Sequence, residues 1–325
     1  MKNPLKRRFE RYCQYLSDDN AEKAYQRLFQ ELSWEQRKTN LERDILTSTD
    51  KGTTDTKYFD NQQVIVSLTS YGNRIYDVHL AIESIMQQTA QPNKIILWLS
   101  NEYKDAPLPI RIQKQIDRGL EVRYCKDLGP HTKLIPALKQ YPDDIIITVD
   151  DDCIYASDMI ENLINSYRKA PQYIHTNRAR EIKLSANGLP DKYRNWHLLE
   201  NQHGASPLYF LTGVGGTLYP PHTLSDEVFN EEAFLRLCPK ADDIWFYAMA
   251  LLNNTQCYKV ATHDPYMYCS NHPHENSLLI HNLLNGGNDI QIANVFTEYN
   301  LYEKFKSVAS CCTEKKKTYQ GKMFH

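Results

Sequence analysis

The sequence predicts an α/β fold, a mostly parallel sheet flanked by helices, with a helical extension ahead of it. Two observations carry this. From Val64 onward short apolar runs alternate with segments of helical periodicity, which implies right-handed βαβ units. The strands are continuous apolar runs rather than alternating ones, as expected when helices cover both faces of a sheet. Residues 1–50 have another character. They are polar and charged, with Leu16, Tyr25, Leu28, Phe29, Leu32, Leu41 and Ile45 at helical spacing. Helices are expected there, interrupted near "SDDN", whose Ser17 and Asp18 suit the cap of the next helix.

The elements follow in order. The polar stretch "TSTDKGTTDTKYFDNQQ" reads as a linker, placed at 51–62. "QVIVSLT" is a predicted strand, "DVHLAIESIMQQ" a helix, "KIILWLS" a strand, "PIRIQKQID" a helix and "LEVRYC" a strand. "KLIPALKQY" adds a helix and "DIIITVD" a fourth strand. Further on, "TGVGGTLYPP" has three glycines in four positions, which suits a turn or a close backbone approach before a strand. Ala241 to Leu252 has the apolar spacing of a helix, with Asp242 and Asp243 in its first turn, and "CYKVAT" is strand-like. Residues 63–300 are taken as one domain and 301–325 as a C-terminal tail.

Composition excludes several classes. A net charge of −2 argues against a general nucleic-acid binder, which shows a basic excess. Runs such as "VIVSL" and "KIILWL" are too short to span a bilayer, and "MKNPLKRRFERY" lacks the apolar segment of a secretory signal. Eight cysteines without a CxxC pair read as reduced thiols. A cytoplasmic protein is expected.

One stretch asks for chemistry. In "IIITVDDDCIY" an apolar strand runs into Asp150, Asp151 and Asp152, where like charges repel and burial is costly. A solvated strand end with Asp as turn or cap residue is one reading. A divalent cation is the other. In open α/β sheets ligands bind beyond the carboxyl ends of the strands, where "LTSYGNR" also lies after the first strand. Oxygen-only ligands select hard cations, so Mg²⁺ or Mn²⁺ bridging a substrate's phosphates suits the site. The EF-hand pattern, with its central Gly and distal Glu, is absent.

Residues 64 to about 260 resemble the Rossmann-like GT-A glycosyltransferases, especially the bacterial family 2-like enzymes that build polysaccharides and lipooligosaccharides. The likeness lies in "VIVSLTSYGNR", "LAIESIMQQTAQPNKIILWLS", "HTKLIPALKQYPDDIIITVDDD", "FLTGVGGTLYPP" and "ADDIWFYAMAL". The resemblance implies a nucleotide-diphosphate sugar donor, a UDP-sugar, and a glycan or lipid-linked acceptor. It implies Mn²⁺ or Mg²⁺ held by Asp150 and Asp152, with Asp152 the direct ligand and Asp150 facing the ribose or a metal-bound water. Asp151 joins the donor set together with Thr69, Tyr71, Arg74 and Lys133. Gly215 and Gly216 line the sugar pocket, Asp243 is the base of an inverting reaction, and Asp242 binds a hydroxyl. A late histidine serves as an extra metal ligand in several such enzymes. His263 is favoured over His272 and His274 because it follows "CYKVAT", while His131 reads as a hydrogen-bonded loop residue.

Bland alternatives stand beside these roles: a surface salt bridge for Arg74 and helix capping for the acidic pair. Two rival classes are a haloacid-dehalogenase-like phosphatase and a non-catalytic sugar-binding relative. The phosphatase fits poorly, because its nucleophile sits on the first strand and "LCPKADD" is not an apolar strand end. The N-terminal helices are expected to pack on the domain or pair two copies into a homodimer. The rival there is peripheral contact of Lys2, Lys6, Arg7, Arg8 and Arg11 with the inner face of the membrane.

Overall fold

Asp18–Thr47 is a single helix, α1, that begins at the "SDDN" singled out above and forms a compact unit of its own. The structure is a computed structural model, and it describes residues 18–200, 202–262, 266–268 and 286–307. Along α1 the side chains of Tyr25, Leu28, Phe29 and Leu32 are exposed.

The second unit runs from Ser48 and contains the sheet. Its first half alternates β1 (Val64–Thr69), α2 (His79–Met86), β2 (Lys94–Ser100), α3 (Ile110–Ile116), β3 (Leu120–Cys125), α4 (Ile135–Gln140) and β4 (Ile145–Thr148). After the aspartates come β5 (Cys153–Tyr155), α5 (Met159–Lys169), β6 (Ile174–Thr176), β7 (Ala179–Glu181) and β8 (His197–Leu198). Then follow β9 (Gly204–Ser206), β10 (Tyr209–Leu211), β11 (Thr217–Tyr219), α6 (Glu231–Leu237), α7 (Asp242–Leu252), β12 (Cys257–Lys259), β13 (Tyr266–Tyr268) and α8 (Gly287–Glu298). The main sheet has the order β3-β2-β1-β4-β11-β6-β12-β9.

Strands β3, β2, β1 and β4 are parallel, as the apolar runs of β1, β2 and β4 predict, while the outer strand β3 alternates, with Glu121 and Arg123 half-buried. Direction changes at β11, which pairs antiparallel with both β4 and β6, so the second half is mixed. Two small sheets, β10-β7-β8 and β13-β5, complete the fold.

The core lies on both faces of the main sheet. Ile65, Ile96, Ile146, Ile174 and Tyr219 point to the face that α7 covers with Ile244, Trp245 and Ala248. Val64, Val66, Leu68, Ile145 and Ile147 point to the other, under Ile82 and Ile85 of α2 and Leu163 of α5. Burying side chains of this size stabilises by roughly 1.5–3 kcal/mol each.

The segment expected as a linker is bonded to the domain. Gly52 N–H donates to the Arg118 carbonyl (2.8 Å), Asn93 Nδ2 to the carbonyls of Thr54 (3.0 Å) and Thr56 (2.9 Å), and Tyr58 Oη to the Gln91 carbonyl (2.9 Å). A Cβ on Gly52 would come within 2.3 Å of Met86 Cγ, so only glycine lets the chain pass there. The start of the expected tail is also core, since Leu301 and Phe305 are buried and Phe305 stacks on Phe296 at 5.5 Å. No disulfide forms among the described residues, and no helix there is long and apolar enough to cross a membrane.

Candidate active site

β1 and β4 are parallel neighbours, with Ser67 opposite Thr148, so the loops that leave their carboxyl ends open side by side. The two loops are bonded together. Ser70 Oγ donates to Asp151 Oδ2 (2.6 Å), and Arg74 Nη2 lies 2.6 Å from both Asp151 Oδ1 and Asp152 Oδ2. Asp151 is buried, whereas the Asp152 side chain is 45 % exposed. Arg74 is therefore a clamp across two aspartates rather than a surface pair.

Asp150 points the other way. It accepts from Lys133 Nζ at 2.7 Å, and the same Nζ lies 3.0 Å from Asp242 Oδ2 at the start of α7. Lys133 ends the turn Gly129–Lys133, and its carbonyl accepts from Ser67 Oγ (2.5 Å), which fixes it against β1. Asp243 turns to the glycine loop, where its Oδ1 accepts the Gly213 N–H at 3.0 Å. The cap of α7 is Ala241, which has no capping side chain, so the acidic pair does more than cap its helix. Asp150, Lys133 and Asp242 thus form one charged chain that joins the strand-end aspartates to the helix-start pair.

Five carboxylates (Asp150, Asp151, Asp152, Asp242 and Asp243) share two cations, Lys133 and Arg74. The protonation equilibria reflect that surplus. Burial, with Asp242 adding to it, pushes Asp243 up to about 7, and burial pushes Asp151 up to about 6 against the pull of Arg74. Burial also raises Asp152 and Asp242, with Asp150 adding to both shifts. Burial alone would lower Lys133, but Asp150, Asp242 and Asp243 hold it well above its ordinary value and therefore charged. Arg74 is raised in the same way, by Asp151 and Asp152 against its burial.

The glycine loop runs through the turn Gly213–Gly215 into β11. A Cβ on Gly213 would sit 2.9 Å from Asp243 Oδ1 and 3.1 Å from Lys133 Nζ, so Gly213 is the glycine that faces the charged chain. Gly215 and Gly216 face protein: a Cβ would meet Arg178 Cβ at 2.6 Å and Met159 Sδ at 2.8 Å respectively. Gly216 also has φ +86°, a backbone that favours glycine. Thr69 Oγ1 donates to the Trp98 carbonyl (2.9 Å), and Tyr71 is 55 % exposed beside it in the chain. His131 is buried and stacked on Phe234 at 4.4 Å, and burial lowers its pKa to about 3, so it is neutral and structural. His263, His272 and His274 lie outside the described residues.

Sequence reasoning missed Ser70 and Tyr155. Tyr155 Oη accepts the Asp150 N–H (2.8 Å) and donates to the Val214 carbonyl (3.1 Å), tying the aspartate loop to the glycine loop. The signal available was position alone, since both residues flank the motifs that were read. Near the same strand ends, Thr148 Oγ1 and both amide atoms of Asn177 are buried without a hydrogen-bond partner among the described residues.

Residues 71–217, just under half of the chain, match the sequence model of the family described as Glycosyl transferase family 2. The matched stretch holds β1's carboxyl-end loop, the strand-end aspartates and the glycine loop, and it is similar to the GT-A, family 2-like glycosyltransferases. Two solved structures show partial likeness. One is CMP:2-keto-3-deoxy-manno-octonic acid synthetase complexed with CTP (TM-score 0.36, 11 % identity, covering 61 % of this chain and 89 % of that one). The other is S. aureus TarS 1–349 (TM-score 0.41, 14 % identity, covering 63 % of this chain and 60 % of that one). A search of curated proteins finds no match.

Proposed function

We propose that this chain moves a sugar from a nucleoside-diphosphate donor, a UDP-sugar, to a hydroxyl of a glycan or lipid-linked acceptor with inversion at the anomeric carbon. The observation that carries the proposal is the acidic site with two sides: Asp150–Asp152 at a strand end, Asp243 at a helix start, and Lys133 between them. Asp243 is the base. Gly213 N–H holds Oδ1, and Oδ2, which has no hydrogen-bond partner among the described residues, takes the proton of the attacking hydroxyl. A carboxyl near 7 is matched to that task at neutral pH.

Among the described residues no three His, Cys, Asp or Glu side chains form a ready metal cage. Mg²⁺ and Mn²⁺ bridging a diphosphate need only one or two carboxylates, and the donor set here is hard oxygen with surplus negative charge. The residues fit such an ion, with Asp152 and Asp150 as its holders. When bound, it supplies Lewis-acid stabilisation of the leaving diphosphate. Asp151, locked by Ser70 and Arg74, orients the loop. On the acceptor side Asp242 keeps Lys133 charged beside Asp243. The exposed Leu28, Phe29 and Leu32 of α1 are proposed as the contact between two copies. Membrane contact through the basic start rests on residues outside those described.

The test is incubation with a panel of nucleotide sugars and candidate acceptors, with Mn²⁺ or EDTA, followed by NMR of the product anomer. Free nucleoside diphosphate, metal-dependent and with inverted product, is expected. A retained anomer removes the base role of Asp243. Inorganic phosphate released from a monoester would instead indicate a phosphatase, and no turnover with any donor would indicate a binding protein.

A further inference from the structure

Arg178 and Arg180 are unexplained by this mechanism. Arg180 lies in β7, the central strand of the β10-β7-β8 sheet, and Arg178 immediately precedes that strand, two residues away. Both are half-buried, and neither takes part in an ion pair among the described residues. Two guanidinium groups without a carboxylate, next to a site with five, are an uneven use of charge.

Their positions are specific. Arg178 Nη1 donates to Thr212 Oγ1 (2.8 Å), and its carbonyl accepts the Thr212 N–H (3.1 Å). Thr212 precedes Gly213, whose N–H holds Asp243, so the Arg178 guanidinium lies one residue from the anchor of the base. Arg180 is more occupied: it sits over the Tyr193 ring at 5.2 Å and donates from Nη1 to the Trp196 carbonyl (2.9 Å), while its Nε is buried without a partner among the described residues. Burial raises the Tyr193 hydroxyl, Asp243 pushes the same way, and Arg180 and Arg178 pull it down, which places all three within charge range of that hydroxyl. Arg180 thus orients Tyr193, and among the described residues Arg178 uses one of its five N–H donors.

We infer that Arg178, positioned by Thr212 and flanked by Tyr193 and Arg180, binds an anionic substituent of the acceptor, a phosphate or a carboxylate beside the attacking hydroxyl. The inference rests on the transferase reading and deepens it by naming the acceptor class. A planar fork of N–H donors suits either oxyanion, and partial burial strengthens the contact. The acceptor side is favoured over the donor because Arg178 connects to the Asp243 anchor, whereas the strand-end aspartates are held by Arg74 and Lys133. Such an anion offsets the charge of both arginines and leaves Asp243 as the base.

The test is ligand-observed NMR titration of the full-length protein with glycerol 1-phosphate and glucuronate, against glycerol and glucose, with and without saturating UDP to occupy the diphosphate site. The wild-type protein is expected to bind at least one anionic probe about tenfold or more tightly than its neutral counterpart, with UDP present, and less so at high salt. The two anionic arms tell phosphate from carboxylate. Arg178→Gln should level the anionic and neutral probes, and Arg178→Lys should restore part of the difference. Equal binding of anionic and neutral probes by the wild-type protein overturns the inference without any variant. So does anion binding that UDP abolishes, or selectivity that survives in a folded Arg178→Gln protein. Nucleoside diphosphate release is read separately, so failure of the transferase reading shows there and not in the selectivity.

Discussion

Replacing Asp243 by Asn separates the two roles a carboxylate can have at the start of α7. Asparagine keeps the size and an oxygen that accepts the Gly213 N–H, so the turn stays in place. What it removes is ionisation. Asp243 sits at about 7 against an ordinary 3.8, because burial and Asp242 disfavour its charge. The folded protein therefore holds this proton more tightly than the unfolded chain does. Stability then falls as pH rises from about 4 to about 7, and the penalty is complete above that range. Three units at about 1.36 kcal/mol each set a ceiling of about 4 kcal/mol. The carboxylate is only half-buried, and solvent screening reduces the figure to about 1–2 kcal/mol. Asp243→Asn should thus be more stable than the wild type by about that amount at pH 8 and equal to it near pH 4, measured by urea unfolding across pH. Turnover should fall by about 10²-fold or more, and the acid limb of the wild-type kcat/KM profile, with its midpoint near 7, should vanish from the residual rate. A variant that turns over within tenfold of wild type, or that is destabilised at every pH, would refute the reasoning, since either result makes Asp243 a structural acceptor only.

Lys133→Met leaves Asp150 and Asp242 without their shared cation and should cost about 3–5 kcal/mol in denaturant unfolding, the cost of stripping one partner from a buried ionic group. An unchanged midpoint would mean that water already serves both carboxylates. Gly213→Ala needs no unusual φ, but its Cβ presses on Asp243 Oδ1 and Lys133 Nζ, so turnover should drop by about tenfold with a melting temperature within a few degrees of wild type. Full activity there would show that the charged chain moves freely. Asp152→Asn should keep the fold and lose turnover, and EDTA should have the same effect on the wild type, reversed by Mn²⁺ or Mg²⁺. Turnover that persists in EDTA would refute the metal assignment. In α1, the triple substitution Leu28→Glu, Phe29→Glu and Leu32→Glu should lower the mass seen by light scattering if the exposed face pairs two copies, and an unchanged mass would refute that contact.

How far the sequence could be read depends on the length of each signal. β1, β2 and β4 were legible as largely apolar runs and β3 by its alternation, with a helix between sequence neighbours, and α7 because its period extends over eleven residues. β6, β9, β10 and β11 have three residues each, too few for any period to show, so the antiparallel turn at β11 was hidden. Glu83 lies in the apolar helix α2, where no local pattern gives a carboxylate a buried partner. It is fully buried, with Arg118 Nη1 2.9 Å from each carboxylate oxygen, a pairing between residues 35 apart. In the site, residue types and loop order were readable, so Asp150, Asp152, Lys133 and Asp243 were all named. Their partners were not. Lys133 was expected at the diphosphate and is found between two aspartates, and Gly213 rather than its neighbours faces them.

The placement of Lys133 makes the two halves of the site depend on each other. A single buried ammonium serves Asp150 on the strand-end side and Asp242 on the helix side, and the charge of Asp243 helps to keep it protonated. Any ligand that draws Asp150 away from Lys133 leaves that ammonium more available to the Asp242–Asp243 pair, which favours the ionised form of Asp243. Any anion that approaches Asp243 without a cation of its own, unlike one paired with Arg178, works in the opposite direction. Electrostatic coupling of this kind is reciprocal, so occupation at the strand-end aspartates and ionisation of Asp243 are linked through Lys133. The same arrangement explains why the site is costly in the folded state. Five carboxylates around two cations are kept together by burial and by hydrogen bonds from Ser70 and Gly213, while Tyr155 Oη accepts the Asp150 N–H and holds the loop that carries them.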